Sequence, residues 1–348
     1  MSRKTRVLMV APTCGVYGGI EAFTSAIASE VVSDSNFEVS VVFRLRPGYT
    51  LDERLTTELS SSPFQWRIMG KPDLSFIRSL LWADIVNCHF PLLYATFPAR
   101  FFRKKLAITI ENQRWPEHKD IYLRALMLAD ARWYISRFVA ETWEGNQLSS
   151  DSKIVPAVSQ LPDEWIDPKL RKGFFFIARW VPKKGIEELV QAYATARIDH
   201  STHPLTLMGA GPLKEEVSIL IKNSGVADYI ETPGFVDHSE KIQRMAHARW
   251  NVAPAAFAED LGLSPIEARA CGVPSIVSDI GGLPEAAGST ALKCLPSDIP
   301  SLATALETAA NMSSEDYISR CESSKASLAD YLPRPGFYID SFRELMTK

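Results

Sequence analysis

Two glutamates, Glu259 and Glu267, stand on either side of Gly262 in the stretch AEDLGLSPIEARACGVP, where a loop runs into an expected helix. A carboxylate there accepts hydrogen bonds, so Glu259 suits the hydroxyls of a sugar and Glu267 can reach a ribose diol. A second reading competes for Glu267. Ser264, Pro265 and Glu267 fit a helix start with serine at the N-cap, proline at the first position and glutamate at the third, a capping box. That reading accounts neither for Glu259 nor for Gly262, whose amide is free to face a ligand.

In FFFIARWVPKKGIEELVQAY, Arg179 leaves an apolar strand and Lys184 comes just ahead of a helix expected to start near Gly185. Two cations and a helix N-terminus at one strand end suit a diphosphate, since arginine grips oxygens bidentately and lysine adds a point charge. Ordinary surface cations at a turn remain the alternative. In CGVYGGIEAF, Gly15, Gly18 and Gly19 let the backbone approach a ligand, and the next helix turns its positive end toward an anion. A plain strand-to-helix turn has the same composition. The spacing is not GxGxxG, and the following strand ends in Arg44 where a ribose-binding acid would be expected, which disfavours a dinucleotide dehydrogenase. Gly281 and Gly282 of SDIGGLPEAAG reach the same edge, while Gly209 and Gly211 of MGAGPLKEE read as a tight turn into a helix.

These loops need strands to hold them. Short apolar runs bounded by turn residues recur at Val7, Val39, Asp84, Leu106 and Ala131, and again at Phe174, Leu205, Tyr229, Trp250, Pro274 and Ala291. Helical spacing fills most of the gaps, and strand-helix alternation is the mark of a doubly wound parallel α/β sheet. The proline-rich stretch 156–173 breaks the rhythm and is read as a hinge. The expectation is two Rossmann-like domains facing across a cleft, residues 1–165 and 166–327, with a C-terminal helix in 328–348 packing back on the first. Ligands of such sheets bind outside the carboxyl ends of the strands.

Composition agrees with this plan. A chain of 348 residues is longer than one core usually serves. It is 46% hydrophobic and 23% charged with a formal charge of -3, which gives no general reason to expect nucleic-acid binding. Five scattered cysteines without CxxC spacing indicate neither a disulfide framework nor a zinc site and fit a reducing cytoplasm. The apolar run near the N-terminus is too short for a signal-peptide core, and no run approaches the roughly 20 residues of a membrane span.

Taken in order, Arg179 and Lys184 at R-x4-K, the GAGP turn, TPGFV, Glu259 and Glu267 at E-x7-E, ACGVPSIVSDIGGLPE and the early GGIE resemble the retaining glycosyltransferases of family 4, which have the GT-B fold. The resemblance is dense from Phe174 to Glu285 and thinner through the first domain. It implies transfer of a sugar from a UDP- or GDP-sugar to a glycan or lipid-linked acceptor, in surface polysaccharide or glycolipid synthesis, without a cofactor. By the same resemblance, Arg179 and Lys184 neutralise the donor diphosphate and Glu259 holds the donor sugar. Gly262 and Leu263 lie near sugar or phosphate, Glu267 holds the ribose, Phe235 and Val236 contact the base, and Gly18 and Gly19 close on the diphosphate.

No DxD occurs in the chain, so Arg179 and Lys184 are expected to stand in for a metal ion. Many members of the family carry a histidine after the strand matched by LAITI. Here the loop reads TIENQRW, with Glu111 or Asn112 in that place, which bears on the identity of the sugar. Glu111, Asn112 and His89 are therefore candidate sugar or acceptor contacts. Asp260 and Leu261 also replace the more usual glycine and aromatic.

Residues 97–105 interleave phenylalanines with Arg100, Arg103, Lys104 and Lys105, a composition suited to peripheral contact with an anionic inner-membrane face, or to an ordinary helix with one apolar side. The rivals to a transferase are a sugar-nucleotide binder that has lost turnover and another GT-B enzyme such as an epimerase.

Overall fold

The computed structural model describes residues 3–156, 161–330 and 334–347. Two compact units result, Met1–Ser159 with Pro333–Lys348, and Gln160–Leu332. The changeover comes ahead of the expected 165/166 because the segment after it packs into the second unit. The Trp165 ring lies against Gly272, and the buried Arg171 guanidinium donates to the carbonyls of Ile166 at 2.9 Å and Cys271 at 2.7 Å. Of the expected hinge, residues 157–160 lie outside the described residues.

The first unit holds seven parallel strands, β1 Thr5–Thr13, β2 Phe37–Leu45, β3 Gln65–Met69, β4 Ile85–His89, β5 Lys105–Ile110, β6 Ala131–Tyr134 and β7 Ser152–Ile154, in the order β3-β2-β1-β4-β5-β6-β7. The second holds six, β8 Lys172–Ile177, β9 Leu205–Met208, β10 Ile230–Gly234, β11 Ala248–Ala253, β12 Ser275–Ser278 and β13 Leu292–Cys294, in the order β10-β9-β8-β11-β12-β13. Both orders reverse beside the first strand of their unit, at β1/β4 and β8/β11. That is the switch point at which the loops leaving neighbouring strands part and open a crevice.

Helices on both faces explain why the central strands read as unbroken apolar runs. Phe174 and Phe176 of β8 bury themselves on one face with Trp250, Tyr193 and Leu306, while Phe175 between them packs on the other with Met208, Met245 and Val273. Each of these fully buried rings stabilises the fold by about 2 kcal/mol. The C-terminal helix Phe337–Thr347 belongs to the first unit: Phe342 meets Trp133 edge-on at 5.0 Å, the Tyr338 amide donates to Glu30 at 2.7 Å, and Lys153 donates to Ser341 at 2.8 Å.

All five cysteines are free, four of them buried. Among the described residues no helix is long and apolar enough to cross a membrane.

Candidate active site

In the second unit, two loops from the switch point are fastened together. Gly185, with φ +81°, caps the helix Ile186–Thr195, and a Cβ there would collide with the Pro254 carbonyl just after β11. The Ala256 amide donates to the Lys183 carbonyl at 2.9 Å. This brings Lys184 Nζ to 3.0 Å from Glu259 Oε1, with each side chain about one-fifth exposed (20% and 21%), and sets Nζ 5.0 Å from the Phe257 ring. Behind Glu259 lies the paired-glycine loop. A Cβ on Gly281 would come within 2.7 Å of Glu259 N, and the Gly282 amide donates to the Glu259 carbonyl at 2.7 Å. These two glycines therefore position Glu259.

Arg179 stands exposed just beyond β8, on the wall of a cavity of about 370 Å³ that Phe235, Val236, Asp237, His238 and Lys241 also line. Phe235 is 88% exposed, an aromatic face without cover. Lys241 lies on the helix His238–His247 and meets Glu267 at 2.7 Å. The two readings of Glu267 separate here. The helix runs Leu263–Ala270 with Gly262, at φ +108°, as its cap and no side-chain cap bond, so Ser264 is not the N-cap and Glu267 sits beyond the first turn. A capping box is excluded because the glycine takes up the entry turn through its backbone. Glu267 is left to pair with Lys241, and Leu263 is half exposed. The GAGP glycines serve packing, since Gly209 and Gly211 abut the backbone of Ala178 and Trp180 beside Arg179.

In the first unit, Gly18 caps the helix Gly19–Val32, and its amide donates to the buried Glu21 carboxylate at 3.1 Å. That amide is already used, which narrows the expected anion cradle. A Cβ on Gly19 would meet nothing within 4 Å. His89 and Glu111, at the ends of β4 and β5, meet at 2.6 Å through Nδ1, with Thr24 Oγ1 at 3.3 Å. Both residues line a cavity of about 420 Å³ with Asn112, Arg46, Phe90 and Trp115, so the three candidate sugar contacts share one site. Burial pushes the Glu111 carboxyl above its ordinary value, opposed by the hydrogen bond and charge of His89 and reinforced by Glu21.

The sequence reading missed Lys241, Arg46, Phe90 and Trp115 as site residues. Lys241 had a signal in its place on the helix that follows TPGFVD. The others come from separate strand ends, which no linear spacing links.

Two doubly wound sheets, each with charged loops at its switch point, make the GT-B fold. Residues 161–320 match the family model described as Glycosyl transferases group 1. The glycogen synthase of Mycobacterium tuberculosis is 30% identical over 135 residues, 38% of this chain and 32% of that protein. The O-antigen chain mannosyltransferase B of Escherichia coli is 31% identical over 129 residues, 36% of this chain and 34% of that one. The match thus spans about a third of these relatives' length. Among solved structures, HepE of Anabaena in complex with UDP superposes with a TM-score of 0.81 over 99% of this chain and all of that one at 16% identity. The apo lipopolysaccharide outer core galactosyltransferase WaaB gives 0.70 over 99% of each chain, also at 16% identity. At such identities the likeness shows the fold.

Proposed function

We propose that this protein is a retaining glycosyltransferase that moves a sugar from a UDP- or GDP-sugar to a glycan or lipid-linked acceptor, in surface polysaccharide or glycolipid synthesis. The observation that carries the reading is the Lys184–Glu259 pair at 3.0 Å, held by the three interlocked loops after β8, β11 and β12 of the second sheet. An ion pair on a strand end is poised to exchange partners. Lys184 turns to the donor diphosphate with Arg179, and Glu259, released, accepts hydrogen bonds from the donor sugar. Fixed cations of this kind stabilise the charge that grows on the leaving diphosphate and take the role a metal ion has in other transferases.

Phe235 and Val236 provide the surface for the base, Glu267 exchanges Lys241 for the ribose diol, and Gly262 and Leu263 offer amides at the helix start. Gly18 and Gly19, of which Gly19 has open space beside it, are the proposed contacts of the diphosphate, and the first unit holds the acceptor. The UDP bound by HepE supports a nucleotide in this role. The reading places the enzyme in the cytoplasm. Peripheral contact with an inner membrane draws the least support: Arg100 is paired with Asp130 at 2.9 Å and Lys104 donates to the Leu81 and Ala83 carbonyls, which leaves Phe97, Phe101 and Arg103 as the rest of the exposed patch.

A thermal-shift screen of UDP, GDP, ADP and their sugar conjugates tests the reading, because a ligand of the native state raises Tm by mass action. A shift with UDP or GDP, together with slow hydrolysis of the matching sugar conjugate, is the expected result. Binding without hydrolysis or transfer would instead identify a nucleotide binder that has lost turnover.

A further inference from the structure

The cavity holding His89 and Glu111 continues past Phe90. A second cavity of about 320 Å³ shares Pro12, Arg46, Phe90 and Tyr122 with it, so the two form one groove along the carboxyl ends of β2, β1, β4 and β5. Its two ends carry opposite charge. Glu111 lies at one end, Arg44 at the other, and Arg46 between them where the two cavities meet.

The arginines are fixed by the sheet. Arg44 is in register with Pro12 of β1 and Met69 of β3, and the Arg46 amide donates to the Thr13 carbonyl at 2.9 Å. The Arg44 guanidinium lies 4.5 Å over the Tyr94 ring, and its Nε is buried without an acceptor. Neither arginine has a carboxylate partner among the described residues, whereas Arg100 and Arg132 of the same unit and Arg244 of the other do. Two unneutralised guanidinium groups in an aromatic-walled groove are a fork for an oxyanion, since their geometry matches phosphate and carboxylate.

Phe90 supplies a second observation. It sits at φ +88°, a conformation that a bulky residue adopts only under constraint and that collects at functional positions. Its amide is held by the Thr109 carbonyl at 2.8 Å, and its ring packs on His118, Tyr122 and Trp143. This places the ring as the wall common to both halves of the groove, where one face of a sugar can lie against it.

We infer that this groove binds an acceptor sugar bearing a phosphate or carboxylate group, with the sugar hydroxyls toward Glu111 and Asn112 and the anionic group gripped by Arg44 and Arg46. The inference rests on the proposed transferase and names the chemical class of its acceptor.

The test is calorimetric binding of methyl glucoside, methyl glucuronide and glucose 1-phosphate to the full chain, in the presence of excess UDP so that the nucleotide site does not compete. One or both anionic probes should bind about tenfold more tightly than the neutral one, and the stronger of them identifies carboxylate or phosphate. That preference should vanish in the Arg44→Gln/Arg46→Gln variant while its affinity for UDP is unchanged. Should the double variant fail to fold, Arg46→Glu at the exposed position gives the same readout. Equal affinity for all three probes, no binding up to about 10 mM, or a preference that survives the substitutions overturns the inference. Failure of the wild type to bind UDP or GDP strikes the transferase reading instead, and leaves the result for the groove standing.

Discussion

At the switch point of the second unit the charged side chains are already matched, Lys184 to Glu259 at 3.0 Å and Lys241 to Glu267 at 2.7 Å. At the corresponding place in the first unit, Arg44 and Arg46 lack carboxylate partners among the described residues, and the one close pair, His89–Glu111, is buried. The two arrangements make different demands on a ligand. On the proposed function, a ligand of the second unit breaks an ion pair before it gains its own contacts, so affinity is a difference between two electrostatic terms and specificity follows from both partners being replaced. On the inferred role of the groove, no ion pair has to be broken at the arginines of the first unit, and binding follows the charge of the ligand directly.

The strongest way to break this comparison is to remove one partner of the Lys184–Glu259 pair. Lys184→Ala and Glu259→Ala should each lower kcat/KM for transfer or donor hydrolysis by about 10²–10³, the cost of losing one preorganised group that meets developing charge. Stability should fall by only about 1 kcal/mol, because the pair is partly solvated. Steady-state kinetics beside urea unfolding separates the two effects. Wild-type turnover in both variants would mean that the pair lies outside the site.

Glycines sharpen the comparison further. Gly281 is at φ +63° and its Cβ would press on the Glu259 backbone, so Gly281→Ala should cost at least about 2 kcal/mol and carry activity down with it. Gly19→Ala opens the first turn of a helix, where a Cβ has room. It should leave stability within about 0.5 kcal/mol of the wild type and still weaken nucleotide binding, if the open space at Gly19 serves a ligand. Loss of stability in both variants, or in neither, would dissolve the distinction between a packing glycine and a binding glycine.

A smaller effect concerns Glu267. With UDP or GDP, whichever raises Tm, the 2′-deoxy analogue should bind about tenfold more weakly, the value of a hydrogen bond to a charged group. Glu267→Gln should remove most of that difference. If the variant discriminates as well as the wild type does, Glu267 serves only Lys241.

How much of this could be read in the chain depended on where each element lies. Central strands such as β1 and β8 are buried on both faces, and their unbroken runs, VLMVA and FFFIA, announce them. The edge strand β3 is half exposed and interrupted by Arg67, and β7 has three residues, so neither has a period to find. The loops of the second unit were legible because each site residue lies within a few positions of a strand end and a glycine. Ser264, Pro265 and Glu267 imitated a capping box because a glycine cap at positive φ leaves no side-chain signature. In the first unit, Pro12, Arg46, Phe90 and Glu111 meet only because four strands end together, which is a property of sheet order.

The smallest expected effect tests the buried pair of the first unit. Burial raises the Glu111 carboxyl above its ordinary value, and the hydrogen bond and charge of His89 pull it partly back. The folded chain then binds this proton more tightly than the unfolded chain does. The corresponding share of stability is fully present below the unfolded value of about 4.3 and is lost as pH rises through the folded value. Glu111→Gln should therefore flatten the fall of Tm across that window. Removing the counter-charge with His89→Gln should move the Glu111 titration higher still, and Glu21→Gln should move it back, as carboxyl-carbon NMR assigned with the Glu111→Gln variant would read. A Glu111 that titrates at or below the ordinary range would show that the carboxylate is stabilised by contacts other than His89. The first unit would then hold its anion by contacts beyond the His89–Glu111 pair on which the comparison rests.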